Sequence, residues 1–110
     1  MSISAMVLDA QDEFEEKFFI PVAAESFFNK CWEPAIEELG LKWTRVFHVG
    51  IDLVKEDFPF VLEELLEIKE WAKKKLPEED KRKVIERIAL IETEVPKVFT
   101  HRDGIVIFIG

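Results

Sequence analysis

The sequence predicts an α+β fold: a small sheet of about four strands in the order β-α-β-α-α-β-β, ending in a C-terminal β-hairpin and packed against three or four helices. Three observations lead there. Residues 58–76 place Phe58, Val61, Leu62, Leu65, Leu66, Ala72 and Leu76 at steps of three and four, broken only by Lys69. That spacing is one face of a 3.6-residue helix. Residues 77–95 repeat the pattern beyond Pro77, so an antiparallel helix hairpin is expected. Residues 105–109, IVIFI, are apolar without alternation and follow Asp103-Gly104, which suits a buried strand after a tight turn.

The remaining elements follow in chain order. Residues 2–8 alternate, with Ile3, Ala5 and Val7 on one side, and read as a strand. Residues 9–16 hold Asp9, Asp12, Glu13, Glu15 and Glu16 around Phe14, a loop or a helical turn whose acids favour a helix N-terminus. Pro21 suits the first turn of a helix running to Leu39, with Gly40 as its C′ residue and a break at Pro34. Residues 41–49 alternate (Leu41, Trp43, Arg45, Phe47, Val49) and read as a second strand, with residues 50–56 as a connector. Asp57 is placed to cap the central helix, with Pro59 in its first turn. Pro96 is expected to end the following helix, and residues 97–109 to form a hairpin about His101-Arg102-Asp103-Gly104.

A chain of 110 residues suits a single compact domain spanning residues 1–110. Its hydrophobic fraction of 48%, with ten Phe and three Trp, builds a core without disulfides or metal. The net charge of −8, from 23 acids against 15 bases, repels phosphate backbones and anionic lipid and favours a basic protein partner. Nucleic acid is therefore not an expected ligand. Cys31 is the only cysteine, which excludes an internal disulfide and a thiolate cage, and its apolar setting reads as a buried thiol. The N-terminal residues turn acidic too early for a signal peptide, and no apolar run approaches the ~20 residues of a membrane span. A cytoplasmic protein without membrane association is expected.

The sequence holds no Gly-rich phosphate loop and no GxSxG, HExxH or CxxC. No catalytic residue, cofactor or metal is expected on that basis. His48 and Asp52 could form a base and its orienting carboxylate at a strand end. His101, Arg102 and Asp103 could present a charged tip, and His48 with His101 could ligate a divalent ion, although no spacing asks for one. The acidic stretch offers a docking surface, where charge steers encounter and nearby Phe14, Phe18 and Phe19 anchor it.

These features favour a non-enzymatic acidic protein-binding module that occludes a cationic partner through Asp12, Glu13, Glu15 and Glu16, with Arg102 and Asp103 as a lesser set. The profile of a small, acidic chain without a catalytic signature resembles that of bacterial immunity and antitoxin proteins. The alternatives are a small enzyme or ligand-binding domain with its pocket near His48 and Asp52, and a protein that self-associates as a homo-oligomer through residues 105–109 or a second stripe on residues 58–76.

Overall fold

The computed structural model describes residues 2–110. Its twelve elements make two layers. One layer is a four-stranded antiparallel sheet in the order β2-β1-β4-β3: β1 Ser2–Val7, β2 Phe19–Ala24, β3 Ile51–Val54 and β4 Val106–Ile109. The other layer is helical: α2 Glu25–Phe27, a π turn Phe28–Trp32, α3 Glu33–Leu39, α4 Phe58–Lys75 and α5 Glu78–Phe99. A short helix, α1 Glu13–Lys17, sits between β1 and β2. The α+β class, the number of strands and the α4–α5 pair match the expectation.

One face of the sheet carries the core. Ile3, Ala5, Val7, Ile20, Val22, Leu53, Ile107 and Ile109 are buried there, against Phe28, Trp32, Val61, Leu65, Ile68, Ile88, Ile91 and Val95 from the helices. The other face is open. The ladder registers align Phe19, Met6, Phe108 and Asp52 in one row across β2, β1, β4 and β3. Phe19 is 58% exposed and Met6 40%. The Phe108 ring lies over Gly50 and Gly110, where a Cβ would approach it to 2.9 Å and 2.7 Å. Only glycine leaves room for that ring.

Several elements differ from the expectation, each for a physical reason. Pro21 does not start a helix; it lies in β2, on the edge of the sheet, where a residue without an N–H is tolerated. Ile20 and Val22, two residues apart, point inward, and the register shift between Ile3 and Ser4 leaves Val22 without a ladder partner. Residues 41–49 are not a strand. They coil through a 3₁₀ turn, Thr44–Val46, and bury Leu41, Thr44 and Phe47 at steps of three, while Val49 is 71% exposed. The strand lies in the expected connector, at Ile51–Val54.

The break expected at Pro34 is a change of helix type: a π turn ends at Trp32, and α3 begins at Glu33 with the proline in its first turn. The π turn carries the chain into α3, with the Glu33 N–H bonding to the Phe28 carbonyl. Gly40 ends α3 at φ 67°, as expected, with the Leu41 N–H returning to the Ile36 carbonyl. Asp57 precedes α4 but makes no side-chain cap. Pro96 does not end α5, which runs to Phe99; the proline is exposed, and so is Glu92, whose carbonyl loses its usual partner on the solvent side. The expected C-terminal hairpin is therefore a helix end, a turn with Gly104 at φ 81°, and a single strand. That strand, β4, is central, between β1 and β3.

The buried face of α4 is also turned from the expected stripe. It includes Glu64 and Ile68 and leaves Leu66 37% exposed. Glu64 explains the turn. Its carboxylate accepts from the backbone N–H groups of Lys42, Trp43 and Thr44 at 2.8–3.1 Å and from the Thr44 hydroxyl at 2.8 Å. It thus satisfies the free donors at the start of the 3₁₀ turn and fastens residues 41–47 to α4. Glu64→Ala should lower stability by about 3 kcal/mol, because it strands buried donors. Glu63→Ala, one residue away on the exposed side, should change it by less than about 0.5 kcal/mol. Urea unfolding of the two variants checks this.

Candidate functional site

The acidic stretch folds back on the chain. Asp12 caps α1, accepting from the Glu15 N–H at 2.9 Å. This capping places Glu15 under the turn that follows α5, where its side chain is fully buried. Arg102 donates to it twice, Nε to Oε2 at 2.7 Å and Nη2 to Oε1 at 2.9 Å, and the Gln11 N–H donates to Oε1 at 3.0 Å. His101 Nε2 lies 2.7 Å from Asp12 Oδ2, and its ring stacks on Phe14 at 4.4 Å between centroids. The Arg102 hydrogen bonds hold the Glu15 carboxyl below the usual carboxylate range, and the His101 hydrogen bond does the same for Asp12.

Of the six residues singled out in the sequence, three are thus bound to one another: Asp12, Glu15 and Arg102. Glu13, Glu16 and Asp103 are exposed, with Glu13 in an i,i+4 ion pair to Lys17 at 2.7 Å. Asp12, Glu15 and His101 offer ligand atoms within 4.8 Å of one another, a spacing that suits a cation. Arg102 already supplies positive charge to both oxygens of Glu15, so the donor set is closed as it stands. His48 and Asp52 are not brought together: among the described residues, no hydrogen bond or ion pair joins them. His48 leans on Phe28 at 6.2 Å between centroids and borders a small recess with Glu33, Ile36, Glu37 and Arg45. Asp52 points outward from β3, across from Phe108.

One recess was not foreseen in the sequence. A groove of about 630 Å³ runs between α3 and α4, floored by Leu39, Leu66 and Trp71 and rimmed by Glu38, Glu63, Glu67, Glu70, Lys74 and Lys75. It continues into a second recess with Trp43 and Phe60, whose rings stack at 6.1 Å. Phe60 is 54% exposed and Leu39 38%. Glu38 accepts from the Trp71 indole N–H and holds that ring in place. Glu70 pairs with Lys73 at 3.0 Å, whereas Glu63 and Glu67 have no partner among the described residues. The available signal was Leu66, which lies off the buried face once Glu64 is turned inward.

Compared with known protein families, with curated proteins and with solved structures, the chain matches none.

The lowered carboxyls make stability depend on acid. Groups ionised more easily in the folded than in the unfolded chain stabilise above the ordinary carboxylate range, and that contribution is lost as pH falls through their lowered values. Glu15→Gln should be less stable than the wild type at about pH 7, and its stability should fall less steeply below about pH 5. Urea midpoints measured across that range check both parts.

Proposed function

We propose that the protein is a non-enzymatic binding module that holds a cationic protein partner on its acidic surface. The observation that carries this reading is the α3–α4 groove: apolar side chains open to solvent inside a rim where Glu63 and Glu67 are unpaired. Such a surface supplies what a specific interface needs, apolar anchors at its centre and charge at its edge. Glu13, Glu16 and Asp103, also exposed, extend the negative field that draws a basic partner in. The rim carboxylates would stand where the partner's anionic ligand binds, so the mode of action is occlusion, as in the immunity-type profile.

The test compares two variants of equal charge. Immobilised wild type should retain a basic protein from host lysate at low salt and release it as salt rises, since exposed charge pairs are screened over about 10 Å at 0.1 M. Glu63→Gln/Glu67→Gln should weaken retention about tenfold. Glu86→Gln/Glu92→Gln, on the exposed side of α5, should not. Equal retention by both pairs would remove the groove from the assignment.

A second reading, self-association, is favoured by the open sheet face. In a chain of net charge −8, the Phe19–Met6–Phe108–Asp52 row carries a single carboxylate, so two copies meet there with the least repulsion. Sedimentation equilibrium should then show a dimer that Phe19→Ser/Met6→Ser dissociates. A monomer at all concentrations rules this reading out.

A further inference from the structure

Resting on the reading of the groove as the site of a cationic partner, we infer that its occupant is an amphipathic helix of that partner, lying antiparallel to α4. Three features lead to this. The apolar floor is a strip between two helices, with Leu39 on one side and Leu66 and Trp71 on the other. A strip of this kind takes the apolar stripe of a third helix, whose anchors recur every three or four residues. The rim acids Glu63, Glu67 and Glu70 stand at i, i+4 and i+7 along α4, in a row about 10 Å long. Among the described residues the first two are unpaired, and a partner cation would share the third with Lys73. Cations at helical spacing meet such a row one for one, whereas an extended segment at about 3.3 Å per residue falls out of step with it.

The rim is also polar along its length. Its start is acidic, at Glu63 and Glu67, and its end carries Lys74 and Lys75, the latter 3.9 Å from Glu38. Helices tend to carry acids in their first turn and bases in their last, in keeping with their own dipole. A helix laid antiparallel to α4 therefore sets its basic end against Glu63 and Glu67 and its acidic first turn against Lys74 and Lys75. The two helix dipoles are then opposed as well, which favours the same direction.

The probes are three synthetic peptides of about 14–18 residues, long enough to span the groove and nearly unfolded when free. The first has Leu at helical spacing, Glu in its first turn and Lys or Arg in its later turns. The second has the same apolar positions with the charge order inverted. The third is the first peptide with a central proline. Calorimetric titration into the full chain should show binding of the first peptide with a gain of helical ellipticity. The second and third should bind at least about tenfold more weakly. Leu66→Asp, at an exposed position, should abolish binding while the protein's thermal transition stays in place; Leu39→Asp provides an independent repeat. If the proline peptide binds as tightly as the first, the occupant is not a helix. Equal affinity of the first two peptides overturns the orientation. Binding unchanged by both aspartate variants overturns the groove as the site for a helix. The lysate comparison with Glu63→Gln/Glu67→Gln stands apart from these outcomes: a partner retained through those acids, with no helical peptide bound, would refute the helix and keep the cation-binding reading.

Discussion

The Glu15–Arg102 pair fixes where the last strand can run. Arg102 lies in the turn between α5 and β4, and Glu15, in the middle of α1, is buried beneath it. A planar guanidinium meeting a carboxylate at two points has one orientation, not a range of them. With that turn held, β4 enters between β1 and β3 in the register that sets Ile107 opposite Val7 and Leu53. The inward residues of all four strands then face the helices together. A carboxylate that the sequence places among surface acids is in effect the peg that aligns the sheet with the helical layer.

Glu64 does similar work on the other side of the molecule. Both glutamates are buried, and both accept several hydrogen bonds, one from a guanidinium and the other mainly from backbone N–H groups. Their neighbours Glu63 and Glu16 are exposed. The acidic residues of this chain thus divide into a few that organise the fold and many that give the surface its field. Turning α4 to bring Glu64 inward also turns Leu66 outward, so the groove is a by-product of how residues 41–47 are held. Structure and candidate interface share one cause.

The parts of the fold governed by local periodicity were legible in the sequence. The α4–α5 hairpin, β1, the Gly40 helix end and the Asp103-Gly104 turn follow from spacing and from residue chemistry that acts over a few positions. The parts governed by distant partners were not. Residues 41–49 alternate well enough for a strand, but Glu64, some twenty residues on, supplies acceptors that make a 3₁₀ turn the better solution. Pro21 is a good first residue for a helix until β1 offers it an edge position without a hydrogen-bonding demand. Pro96 reads as a helix end, yet exposure to water lets the helix continue past it. In the site, the acids and Arg102 were recognisable as chemically unusual, but their mutual pairing depends on a contact spanning 87 residues. The α3–α4 groove was hidden because it is set by which way a helix turns, which composition does not record.

The central place of β4 has a consequence for how the protein is made. Its neighbours β1 and β3 are synthesised first, and neither pairs with the other. Until residues 106–109 are available, the β1–β2 ribbon has a bare inner edge, and β3 has no partner in the sheet. The helical layer, built from contacts closer in sequence, can assemble in that interval, whereas the sheet must wait for its most distant pairings. Completion of the sheet therefore comes after its outer strands and the helices between them have been made. Until it occurs, the open strand edges are the protein's point of exposure to mispairing and to chaperones.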